Sequence, residues 1–129
     1  LLVMVAVLVA SPPDRTAAQT ARAAIEVEMV EFAFRPSTIS LRTGTPVRLV
    51  LRNTGQIAHQ LEADYLRAVW VQLSTEALYI EAPGLGVVRL NPGASARLEF
   101  LPRRTGRFIF ACTIEGHREA GMVGVLEVR

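Results

Sequence analysis

Sulfur, imidazole and amine are all scarce in this chain. Its 129 residues hold one cysteine, Cys112, two histidines, His59 and His117, and no lysine. A lone cysteine excludes an internal disulfide and leaves three roles: an intermolecular bridge, a free reactive thiol or a metal ligand. The fourteen basic residues are all arginine, which reflects genomic composition more than mechanism. A formal net charge of +2 is too small to argue for nucleic acid or a membrane surface. No long basic run and no basic stripe interleaved with aromatics appears either, so that class of function is set aside. Charged residues are only 20% of the chain and hydrophobic ones 50%, which excludes a disordered polar segment. The length suits one domain with a sizeable core.

Long apolar runs are also missing. Leu1 to Ala10 is the longest, and about ten residues are too few to span a bilayer but fit the apolar region of a secretory signal. Ser11-Pro-Pro-Asp and a small-residue stretch from Thr16 to Ala24 follow. Thr16-Ala-Ala18 and Ala21-Arg-Ala23 both offer the small residues a signal peptidase needs. The run is not preceded by Met or a basic segment, so its start reads as truncated. Residues 1–23 are accordingly expected to be a signal peptide or an N-terminal anchor, and residues 24–129 the folded domain. No cysteine follows the apolar run, so nothing supports a lipid-modified N-terminus. Export to the periplasm, or to the outer face of the cytoplasmic membrane, is the expected fate.

Past this leader a period of two dominates. Ile25 to Val30 alternates apolar residues with Glu26 and Glu28. Ile39 and Leu41 alternate with Ser40 and Arg42. Val47, Leu49 and Leu51 alternate with Arg48 and Arg52, and Ala96, Leu98 and Phe100 with Ser95, Arg97 and Glu99. Such alternation is what a sheet with one buried face requires. Turn chemistry separates the runs: Thr43-Gly44-Thr45-Pro46, Asn53-Thr-Gly55, Asn91-Pro-Gly93 and Thr105-Gly106. The expected fold is therefore all-β, a Greek-key β-sandwich. Residues 64–73 interrupt it as a short helical or irregular insertion. Tyr65, Leu66, Val69, Trp70 and Leu73 fit helical spacing behind Asp64 as N-cap, with Trp70 in or near the core, while Val69, Val71 and Leu73 equally fit a strand. Arg103, Arg104 and Arg107 form the one local basic cluster and read as a solvated loop.

The scarce residues are not scattered. Cys112, His117 and Met122 stand five apart on one Gly-containing stretch, Cys112-Thr-Ile-Glu-Gly-His117-Arg-Glu-Ala-Gly-Met122. His59 lies far upstream, after the Asn53-Thr-Gly55 turn. Soft sulfur with imidazole favours copper over magnesium, calcium or manganese, and two histidines, a cysteine and a weak axial methionine compose an electron-transfer copper site. Zinc prefers a closed tetrahedral N/S/O set that a methionine fits poorly. A Cys–His nucleophile needs an electropositive setting or a helix N-terminus, whereas Cys112 ends the hydrophobic run Phe108-Ile-Phe-Ala. A metal-free reading, with Cys112 as a small buried hydrophobe, remains the plain alternative.

The stretch from Phe110 to Val128 resembles the C-terminal signature of the cupredoxins, the blue copper family of plastocyanin, azurin and auracyanin. Phe34-Arg-Pro-Ser-Thr-Ile-Ser-Leu-Arg-Thr-Gly44, then Val47 to Gly55, then His59, are similar to that family's first half. The resemblance implies one type 1 copper ion held by His59, Cys112, His117 and the axial Met122. It also implies a backbone N–H donated by Gln60 to the Cys112 sulfur, and a partly exposed His117 as the electron's exit. Asn or Asp commonly follows the first histidine in the relatives, so Gln60 departs from the pattern. The function implied is electron transfer between protein partners, without catalysis, by a monomer. The alternative is an exported protein that binds and delivers copper. A binuclear copper domain would need two cysteines on the loop, and copper nitrite reductases carry a second copper set and a longer chain.

Overall fold

A computed structural model describes residues 24–129; the expected leader, residues 1–23, lies outside the described residues. Two mixed sheets pack face to face. One runs β2-β1-β4-β9-β6-β7 and the other β3-β11-β10-β5-β8. Their members are β1 (Ala24–Val30), β2 (Ala33–Arg35), β3 (Thr38–Leu41), β4 (Val47–Asn53), β5 (His59–Ala63), β6 (Val71–Ser74), β7 (Tyr79–Ala82), β8 (Val87–Leu90), β9 (Ser95–Phe100), β10 (Gly106–Ala111) and β11 (Val123–Val128). β1 runs parallel to β4 and β3 parallel to β11, while the other pairings are antiparallel. The all-β sandwich expected from the alternating runs is the observed architecture.

The period-two reading also picked the buried face. Val27, Met29, Leu49, Leu51, Leu98 and Phe100 turn inward from the first sheet, against Ile39, Leu61, Phe110, Leu126 and Val128 of the second. Charged neighbours on the outer face pair with one another, as where Arg48 meets Glu99 at 2.7 Å. Surface pairs typically add only about 0–1 kcal/mol; the interior carries the stability.

The insertion expected at residues 64–73 opens as a short helix, while three details around it need correction. The helix is a single turn, α1 (Asp64–Arg67), and Ala68 to Trp70 lead from it into the strand β6. Asp64 is the first helical residue and not a side-chain cap; Ala63 occupies the N-cap position. With β6 extended, Val69, Val71 and Leu73 point inward, and Trp70 falls on the outside, 57% exposed. Strand alternation overrode the helical spacing there. The basic cluster is exposed, as expected, but it is not all loop and its members have partners. Arg107 belongs to β10 and pairs with Glu127 at 2.6 Å. The Arg104 guanidinium lies 4.7 Å from the Phe108 ring centroid and 5.6 Å from that of Tyr65, within cation–π range. Tyr65, in turn, anchors the 103–104 backbone, accepting from the N–H of Arg103 and donating to the carbonyl of Arg104, both at 3.2 Å.

Candidate metal centre

β10 and β5 are adjacent antiparallel strands, with Phe110 opposite Ala63 and Ala111 opposite Glu62. His59 opens β5 and Cys112 follows the end of β10, so strand pairing alone brings the two to the same end of the sandwich. Of the run Phe108–Cys112, Ile109 faces outward at 52% exposure, while Phe110, Ala111 and Cys112 are buried. Beyond Cys112 the chain doubles back. Gly116 and Gly121 take φ of 80° and 102°, in the left-handed region that glycine enters freely. The loop they shape is closed by backbone bonds. The Cys112 N–H donates to the Met122 carbonyl at 3.0 Å, and the Met122 N–H to that of His117 at 3.1 Å.

The loop before His59 is held just as firmly. Asn53 is buried, yet every polar atom of its amide has a partner. Its Nδ2 donates to the carbonyls of Ile57 and Leu90 at 2.8 and 2.9 Å, and its Oδ1 accepts from the Gly55 N–H at 3.0 Å. The Asn53-Thr-Gly55 motif, legible as a turn, is thus a buried clamp that aims the following segment. Leaving such an amide unpaired would cost about 1–3 kcal/mol.

His59, Cys112 and His117 converge. Their candidate ligand atoms lie within 4.8 Å of one another, and they are the one such group among the described residues. The His59 and His117 Nδ1 atoms are 3.3 Å apart, and His117 Nδ1 is 3.3 Å from the Cys112 sulfur. His59 and Cys112 are fully buried. Met122 is fully buried too, and reaches this cluster through its backbone bonds to Cys112 and His117. The Gln60 N–H donates to the Cys112 sulfur at 3.4 Å, where the family resemblance placed it. The unexpected glutamine still braces the site. Its side-chain Nε2 donates to the Thr113 hydroxyl at 2.5 Å, and that hydroxyl donates in turn to Glu62 Oε2 at 2.7 Å. The residues following two of the cluster's members are therefore tied side chain to side chain.

Exposure departs from expectation at one point. His117 keeps 7% of its surface, less than the partly exposed ligand that the resemblance implied, because the Phe32 ring packs edge-on against it at 4.9 Å. Burial holds the His117 imidazole below the usual histidine range, helped by the proximity of His59 and Arg89 and opposed by Glu31. A neutral imidazole is the form that ligates a metal.

Glu31 is the residue that sequence reasoning missed. It sits in the two-residue turn between β1 and β2, and its Oε1 lies 3.2 Å from His59 Nε2. The same oxygen accepts the N–H groups of Gln56 at 2.6 Å and Ile57 at 3.1 Å. Burial alone would raise this carboxyl; the bonds from Ile57, Gln56 and His59 outweigh it and hold it below the usual range. Nothing in the sequence marks a lone glutamate 28 positions ahead of the histidine it contacts.

The donor chemistry fits a soft or borderline cation. Two imidazole nitrogens and a sulfur facing one another in a dry interior repel as lone pairs unless a proton or a metal ion lies among them. The cupredoxin-like domain family matches residues 1–125. The chain is a cupredoxin. It is 38% identical to the copper-resistant cuproprotein CopI of Rubrivivax gelatinosus over 74% of its length, spanning 59% of that relative. To the protein of the same name from Pseudomonas aeruginosa it is 29% identical, over 88% of this chain and 79% of the other. Among solved structures, auracyanin B superposes with a TM-score of 0.58 at 25% identity, covering 82% of this cupredoxin and 88% of that chain. Copper is the cofactor that this family and this donor set imply, one ion to the one cluster.

Proposed function

We propose that this cupredoxin is a one-electron carrier built around a type 1 copper site. Cys112 would hold the ion as a thiolate, His59 and His117 as neutral imidazoles, and Met122 as a weak thioether donor. The bound ion supplies a single redox couple, Cu(II)/Cu(I), and the protein supplies everything else. The observation that carries the reading is the buried His59–Cys112–His117 cluster, with the Gln60 N–H directed at the sulfur. Such bonding to sulfur, together with the axial ligand, tunes the potential of a copper–thiolate centre. Side chains fixed by paired strands and a tightly bonded loop would move little between oxidation states of a bound ion, which would keep reorganisation small. A carrier needs no substrate pocket, and we assign the chain no catalytic step. We place it outside the cytoplasm as a monomer exchanging electrons with redox proteins, a location supported by the apolar stretch Leu1–Ala10.

A second reading, copper binding and delivery without a redox shuttle, is favoured by the names of the two relatives, both copper-resistance cuproproteins. Burial of His59 and Cys112 argues against it, since a delivery site must exchange its ion readily. One pair of measurements separates the two. Protein loaded with Cu(II) is expected to turn intensely blue from thiolate-to-copper charge transfer, to cycle reversibly in voltammetry and to hold Cu(I) against a chelator. Cys112→Ser is expected to abolish the colour. A colourless wild-type protein, or a blue one that surrenders copper quickly to an acceptor and does not cycle, would sink the carrier reading.

A further inference from the structure

The β1–β2 turn is remote in sequence from the cluster, yet Glu31 touches it through His59. A carboxylate only accepts hydrogen bonds. Its Oε1 lies 3.2 Å from His59 Nε2, so in the neutral ring that nitrogen carries the proton. The lone pair is then left on Nδ1, the atom that faces His117 Nδ1 at 3.3 Å. Left to itself, an imidazole can protonate either nitrogen, and the wrong tautomer would present an N–H to the metal. The carboxylate is itself anchored by the Gln56 and Ile57 N–H groups on the same oxygen. Gly55 makes room for it, since a Cβ there would run into the Glu31 carboxyl. His59 is fully buried and Asn53 holds the chain on its other side.

We propose that Glu31 is a positioning residue for the metal centre, one that holds His59 as the Nε2–H tautomer with Nδ1 presented to copper and stabilises the more positive oxidation state. The proposal rests on the copper reading above for its redox part and on geometry alone for its tautomer part. Removing a bonded group behind a ligand histidine typically weakens metal affinity about 10–100-fold. A negative charge behind the ligand favours Cu(II), so its removal raises the reduction potential.

The test uses Glu31→Ala and Glu31→Gln, with nitrogen-detected NMR of the metal-free protein, copper titration and voltammetry. Metal-free wild type is expected to show His59 protonated at Nε2. Glu31→Gln keeps an acceptor oxygen but no charge; it is expected to retain the tautomer and the affinity to within a few-fold while the potential rises. Glu31→Ala is expected to mix the tautomers, lose about 10–100-fold in copper affinity and raise the potential further. A merely structural glutamate would lower the unfolding temperature of both forms without moving the potential. Wild-type His59 protonated at Nδ1, or a Glu31→Ala variant with unchanged affinity and potential, overturns the proposal. Failure of wild type to take up copper would instead sink the copper reading, and the metal-free tautomer measurement would still decide the role of Glu31.

Discussion

Met122 is the proposed ligand whose chemistry bears most directly on the proposed redox couple. It is fully buried and bonded through its backbone to Cys112 and His117, so a substitution that keeps its length should leave the loop in place. Met122→Gln replaces a soft thioether with a harder amide oxygen. Harder donors favour Cu(II), so copper should remain bound while the potential falls, by about 59 mV for each tenfold gain in preference for the oxidised ion. Voltammetry of the variant against wild type checks this; an unchanged potential would remove Met122 from the ligand set. His59, Cys112 and His117, which the fold brings together, were legible in the sequence because thiol and imidazole are rare in the chain, and rarity makes spacing informative; Met122 stands beside them as a proposed ligand. Glu31 was not legible. Carboxylates are common, and its partner becomes a neighbour only once the β1–β2 turn folds over the end of the sandwich. Gln60 was seen as a departure from the family, yet its backbone does what the family's does, since that N–H belongs to the strand and not to the side chain.

Among the elements, the strands were readable wherever one face meets the core and the other meets water. β4 and β9 alternate cleanly because they are neighbours in the middle of one sheet, with Leu49 opposite Leu98 and Leu51 opposite Ala96. The stretch after β5 was not readable. Tyr65 and Leu66 bury from a single helical turn and Val69, Val71 and Leu73 from an extended chain, so two periods meet within ten residues. Trp70 took the outward slot in that junction. A pair of substitutions separates the assignments. Trp70→Ala should change stability by no more than about 0.5 kcal/mol, as surface replacements do. Leu98→Ala, at a position with no exposed surface, should cost about 2–5 kcal/mol through lost burial and the cavity it leaves. Chemical denaturation of both variants in the metal-free state reads the difference, and a costly Trp70→Ala would mean that the tryptophan packs in the core after all.

For the molecule taken whole, the side chains proposed to bind copper also couple its stability to pH. His117 has its pKa lowered in the folded protein, first by burial, relative to an unfolded value near 6.5. A group depressed in this way contributes stability that is present above the unfolded pKa. As pH falls below it, the unfolded chain takes up the proton first, so stability is lost down through the folded pKa. Metal-free protein should therefore unfold at a lower temperature at pH 5 than at pH 7.5. Copper adds a second dependence of the same sign, because ligands must be deprotonated to bind it. At free copper one hundred times the dissociation constant, binding to the folded state alone adds about 2.7 kcal/mol. That increment should shrink on acidification as protons compete for the thiolate and the imidazoles. Differential scanning calorimetry with and without copper, across that pH range, measures both effects. The copper-dependent gap in unfolding temperature should be wide near neutrality and narrow toward pH 5, and Cys112→Ser should largely close it at every pH. A gap that ignores pH, or survives the loss of the sulfur, would mean that copper binds elsewhere on the protein.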